Sequence, residues 1–206
     1  MMKNTTYRFD EVLTDGHNCL LLGDPYTLKH FQNENKLGED LQTAFTTTQA
    51  GDEVVKSGTM IYLGNVSNPY NEAYTLFFNF DDKSILEDST DAKIIHKADG
   101  YLLNITNKTL YAYSWRYLLK FNQDTIDQLY KLSGSSANQK IINGKTYIQS
   151  NSVRQRIAIP NGYYQVSVNA GYFEDDNPVF ELIIKPTTQT CIESNLDYLT
   201  SYDYRL

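Results

Sequence analysis

Long apolar runs are missing from this chain of 206 residues. Cys19-Leu20-Leu21-Leu22 falls far short of the roughly 20 residues a membrane-spanning helix needs, and Met1 to Leu13 lacks the apolar core of a secretion signal. A cytoplasmic protein that engages no membrane is expected. Cysteine is scarce too: Cys19 and Cys191 lie far apart in the chain and share no motif, so free thiols are expected rather than a disulfide framework. Basic residues are outnumbered, 18 Lys and Arg against 25 Asp and Glu, for a net charge of -7. That balance argues against nucleic acid, which demands a basic footprint, and leaves room for a basic partner.

Catalytic grammar is equally thin. The three histidines, His17, His30 and His96, stand in no HExxH, HxH or His-Cys pattern, so no zinc site can be read from their spacing. His17 and Cys19 only share a strand face, whereas a cysteine nucleophile needs its imidazole across space with a third group to orient it. No Gly-x-Ser-x-Gly elbow, phosphate loop or dinucleotide fingerprint occurs. The carboxylates cluster at Asp81-Asp82, at Glu87-Asp88 with Asp91, and at Glu174-Asp175-Asp176, each in an expected turn and without the spacing of an EF-hand. No catalytic residue, cofactor or metal ligand is assigned.

What the chain does contain is β-sheet material. Hydrophobic residues make up 41% and aromatic residues 13%, with 17 tyrosines, enough apolar surface to offset the ordering entropy of a folded core. Tyr suits half-buried sheet faces and interfaces, since it joins a large ring to a hydroxyl that seeks water or a partner. From Val153 to Pro186 a two-residue alternation sets Ile157 and Ile159, then Val166 and Val168, then Leu182 and Ile184 on one face. Pro160-Asn161-Gly162 and the acidic Glu174-Asp175-Asp176 loop punctuate it, so an antiparallel three-strand meander is expected. Asp99-Gly100, between Lys93 to Lys97 and Tyr101 to Ile105, predicts a two-residue hairpin, as does Asn143-Gly144. Asn107-Lys108 returns the chain into Thr109 to Tyr113.

Helical signals are few. Asp24 can cap and Pro25 can start a helix through Phe31, and Leu37, Leu41 and Phe45 recur at a four-residue interval within a helical segment of about 24–48. A further helix begins at Asn122 and ends before Gly134. The expected architecture is mainly β, with α+β open: one antiparallel β-sandwich-like domain over 1–206, with eight to eleven strands and two or three short helices.

The segment Arg154-Gln155-Arg156-Ile157-Ala158-Ile159-Pro160-Asn161-Gly162-Tyr163-Tyr164-Gln165-Val166 resembles a pattern of small bacterial β-proteins. These include the competence-associated nuclease inhibitors and toxin-immunity proteins, in which a strand leads into Pro-x-Gly-x-Tyr and a second strand. The resemblance covers a short stretch of the chain. It implies a β-sandwich that inhibits another protein, a toxin or nuclease, stoichiometrically, with the loop Glu174, Asp175 and Asp176 as candidate contact. Acidic loops of this kind accelerate association with basic partners. A different reading of the residues is a carbohydrate- or small-ligand-binding module built on Trp115 with Tyr111 and Tyr113.

Overall fold

The computed structural model describes residues 5–13, 19–64, 66, 73–132, 137–142, 145–150, 155–193 and 195–206. In chain order the strands are β1 (Thr5–Leu13), β2 (Leu20–Gly23), β3 (Met60–Leu63), β4 (Ala73–Asn79), β5 (Ala92–Ile105), β6 (Thr109–Ser114), β7 (Ala137–Ile142), β8 (Lys145–Ser150), β9 (Gln155–Ala158), β10 (Gly162–Phe173) and β11 (Asn177–Thr187). The helices are α1 (Pro25–Glu34), α2 (Leu41–Thr47), α3 (Ala50–Lys56), α4 (Ile85–Asp88), α5 (Gln123–Leu132) and α6 (Leu196–Ser201), with a 3-10 turn at Trp115–Leu118. Strands dominate, as the alternation implies, and the helices are short. None is long and apolar enough to cross a membrane.

Seven strands form one sheet in the order β5-β10-β11-β4-β1-β8-β7, and four form a second in the order β3-β2-β6-β9. Most pairings are antiparallel, but β1 runs parallel to β8 and β11 parallel to β4. Residues of both sheets, such as Phe9, Val166 and Leu182 from the larger and Leu22, Tyr111 and Ile157 from the smaller, belong to one packed apolar cluster. The fold is therefore mainly β and sandwich-like.

Three expected turns do something else. The Asp99-Gly100 pair closes no hairpin: β5 runs straight through it, and the register against β10 slips between Val166/Tyr101 and Val168/Ala98, so the pair is a bulge in one long strand. Gly100 takes φ +101 there, a conformation that only the absence of Cβ makes cheap. The expected three-strand meander is likewise a two-strand one. β10 and β11 pair along their whole length, but β9 pairs with β6 in the smaller sheet, so Pro160-Asn161-Gly162 carries the chain from one sheet to the other. Asn107-Lys108 also crosses between sheets, from β5 to β6. The two corners lie against each other: Lys108 N–H donates to Asn161 Oδ1 at 2.7 Å, and Ile159 N–H donates to the Lys108 carbonyl at 3.0 Å. All six alternating residues of the expected meander are nevertheless buried. The Asn143-Gly144 turn lies outside the described residues, between strands that pair Ile142 with Lys145.

Helix starts follow local chemistry. Asp24 accepts from Tyr26 N–H at 3.0 Å and Asp40 from Thr43 N–H at 3.0 Å, each satisfying a donor that the first helical turn leaves unpaired. The threonine run ends α2, with extended Thr48 as its last cap, and the Thr48 hydroxyl then accepts from Ala50 N–H, starting α3. This helix, the one-turn α4 and α6 fall where no helix is expected from sequence. The tail docks: Tyr204 is fully buried and its hydroxyl meets that of Tyr101 at 2.9 Å.

A buried carboxylate pins α4 to the sheet. Glu181 has no exposed surface, and its two oxygens accept from Asn79 Nδ2 and Ile85 N–H at 2.7 Å each, Ser84 Oγ at 2.5 Å and Asn169 Nδ2 at 3.3 Å. The pinned segment places Ile85 and Leu86 over Phe77 and Val179, a small second apolar cluster.

Candidate functional site

The acidic loop is a tight turn, not a loose one. Glu174, Asp175 and Asp176 take φ values of 45, 60 and 58° in succession, left-handed geometry that Asp and Asn tolerate better than most residues. Glu174 is not a freely solvated carboxylate. It pairs with Arg8 at 2.9 Å, and Arg8 also holds Asp10 at 2.9 Å while its guanidinium lies 5.6 Å and 5.8 Å from the Phe77 and Phe173 ring centres. Glu174 therefore anchors the turn although it is exposed, and Asp175 and Asp176 are its exposed charges without an ion pair among the described residues.

Sheet register brings a second acidic cluster to the same place. Phe173, the last residue before the turn, pairs with Ala92, the first residue of β5, so Asp91 and the end of α4 stand beside the turn. Glu87 is neutralised by Lys97 at 2.5 Å. Asp88, Asp91, Asp175 and Asp176 are exposed and form no ion pair with another described residue. The third cluster lies apart: Asp82 faces Lys185 at 3.8 Å, towards the other end of β11.

The expected aromatic platform is not assembled. Tyr111 and Tyr113, on the interior strand β6, are both buried by the layers packed on the smaller sheet. Tyr111 packs on Tyr130 with ring centres 5.4 Å apart, and the Tyr113 hydroxyl is buried without a hydrogen-bond partner among the described residues. Trp115 opens the 3-10 turn beyond the strand and packs edge-on against Tyr62 at 5.4 Å. The three rings present no common exposed face. Burial pushes the Cys19 thiol up to about 12, which keeps it protonated and poorly nucleophilic; His17 lies outside the described residues.

A cleft of about 550 Å³ opens between α1, the turn after α3 and the larger sheet, and sequence reading misses it. Tyr26, His30 and Glu34 recur every four residues and line one side from α1. The opposite side comes from the turn after α3, with Ser57 and Thr59, and from the end of β5, with Asn104 and Thr106. Tyr163 and Thr190 complete the rim. The walls are tied together. Asp24, wholly buried, accepts from Asn107 N–H at 2.7 Å as well as from Tyr26 N–H, and the Thr27 and Thr106 hydroxyls meet at 2.6 Å. Burial raises the Asp24 carboxyl above its ordinary range, against the lowering effect of its hydrogen bonds. Asn104 N–H donates to the Gly58 carbonyl at 2.7 Å. Gly58 has φ +72, and a Cβ there would come within 2.9 Å of Leu102 Cγ. Ile192 N–H donates to the Lys56 carbonyl at 2.8 Å, which brings the Thr190 segment over the same turn. The four-residue recurrence of Tyr26, His30 and Glu34 is the one signal in the sequence that points here; the other walls come from segments far apart in the chain.

No protein-family model matches the chain, and neither a curated protein nor a solved structure matches it at a significant level.

Proposed function

We propose that the chain is a non-catalytic protein-binding module that engages a basic partner at the acidic end of its larger sheet, in the manner of an inhibitor or immunity protein acting on a toxin or nuclease. The observation that carries this reading is the Ala92–Phe173 pairing, which merges two acidic clusters separated in sequence into one exposed patch. Convergent charge of one sign steers encounter with a partner of the other sign and raises the association rate. The patch is held firmly, because Arg8 fixes Glu174 and Lys97 fixes Glu87, so little order is lost on docking. The short resemblance around Pro160 favours the same role, and free Cys19 and Cys191 suit the reducing cytoplasm.

The test neutralises the patch without disturbing its backbone. Asn replaces each exposed Asp, because Asn tolerates the left-handed geometry at positions 175 and 176, giving D88N/D91N/D175N/D176N. A basic partner is recovered by pull-down at low salt and its association kinetics are measured. The variant is expected to associate about tenfold more slowly than wild type at low salt, with the gap closing near 1 M salt, where the screening length falls to about 3 Å. Equal rates across the salt range would leave the patch as solvated surface and remove the reading.

A further inference from the structure

We infer that the cleft between α1, the turn after α3 and the end of β5 is a second, separate binding site that takes a neutral saccharide. Its volume, about 550 Å³, lies within the roughly 300–1,000 Å³ of small-molecule sites. The lining is rich in groups that both donate and accept: the carboxamide of Asn104, the hydroxyl of Thr190, and the hydroxyls of Thr27, Thr106, Ser57 and Thr59, which bond to one another in pairs and keep acceptor capacity for a ligand. Sugar hydroxyls have the same dual character, so each can be matched without stranding a donor or an acceptor. Tyr26 and Tyr163 add ring faces, which suit the apolar C–H face of a pyranose.

Charge decides against the competing ligand classes. No Lys or Arg is among the described residues lining the cleft, and Glu34 is; phosphate and carboxylate recognition relies on Arg and Lys forks or on an open helix N-terminus. The N-terminus of α1 stands beside the cleft, but the buried Asp24 carboxylate already occupies it. Nucleotides, sugar phosphates and uronates are thereby disfavoured. Glu34, His30, Asn104 and Tyr163 donate no side-chain hydrogen bond to another described residue and accept none from one, so these groups are available to a ligand. The cross-links from Asp24 to Asn107, from Thr27 to Thr106 and from Gly58 to Asn104 hold the walls in place before any ligand arrives, which lowers the ordering cost of binding.

The experiment is an amide chemical-shift titration of the full chain with neutral hexoses, pentoses, N-acetylhexosamines and their disaccharides, run beside the corresponding sugar phosphates and uronates. At least one neutral saccharide is expected to shift amides in α1, in residues 104–107 and at Tyr163, and to bind at least about tenfold more tightly than its charged counterpart. Glu34→Ala and Asn104→Ala should each weaken that saccharide about tenfold, the scale of one lost hydrogen bond to a polar or charged group. Glu34→Gln should also narrow the gap between neutral and phosphorylated sugars, a change that a purely structural role for Glu34 would not produce. The inference is overturned if no neutral saccharide moves a cleft amide up to about 10 mM, ten times the concentration that half-fills a 1 mM site. It is equally overturned if the charged sugars bind as tightly, or if both alanine variants bind like wild type.

Discussion

Glu181 is the residue that ties the start of α4 to β4 and β10. A carboxylate at zero exposure receives four donors from three separate segments, and these satisfy it without a buried cation. Glu181→Gln keeps the shape but replaces one acceptor oxygen with an NH2 group, which would face Ser84 and Asn169 or Asn79 and Ile85. Leaving buried donors unpaired costs about 1–3 kcal/mol, so a loss of about 2 kcal/mol is expected in a urea melt, with α4 loosening first. A melt unchanged within about 0.5 kcal/mol, the usual scatter of surface changes, would mean the carboxylate is dispensable. Sequence offers no warning of this role. Glu181 sits in the alternation of β11 as an ordinary outward residue, and only the fold of residues 80–88 back over the sheet buries it.

At the scale of elements, the bulge at Gly100 is the clearest case of a local signal with two uses. Asp99-Gly100 favours positive φ, and a hairpin turn and a bulge both require it. Nothing in the neighbouring residues says whether the strand beyond will pair with the one before or continue past it. Gly100→Ala meets no atom nearer than Leu199 Cδ1 at 4.0 Å, so its cost is backbone strain alone, about 1–2 kcal/mol. Gly38→Ala, with open space around it, is the control and should stay within about 0.5 kcal/mol in the same thermal melt. The same limit explains the other corrections. Proline and glycine at 160–162 mark a reversal of direction, but the sheet that the next strand joins is decided by partners far along the chain. Alternation, in contrast, reports burial directly, which is why Val166, Val168, Leu182 and Ile184 could be placed in the core from sequence, as could the Asp24 cap. The cleft was hidden because its walls come from five separate segments, and the acidic patch because it depends on the Ala92–Phe173 register.

For the whole molecule, the apolar cluster that joins both sheets implies cooperative loss of both. Trp115, the sole tryptophan, packs on Tyr62 of the smaller sheet, whereas far-ultraviolet circular dichroism weighs the longer strands of the larger one. The two signals are expected to change at the same urea concentration; an earlier fluorescence transition would show that the sheets come apart. The strand order has a further consequence for how the chain is made. β1 rests between β4 and β8, and β4 needs β11 on its other side, so the sheet that holds the earliest strand is completed only by the latest. At about 5–20 residues per second, on the order of ten seconds or more separate the emergence of Leu13 from that of Thr187. Phe9 meets Leu76 and Phe78 once β4 is made, but Leu76 and Phe78 wait until near the end of synthesis for their partners Phe180 and Leu182. Four neighbouring strands of the larger sheet, β4-β1-β8-β7, can thus pair before β9 completes the smaller sheet, whereas β5, β10 and β11 join the larger sheet only near the end of synthesis.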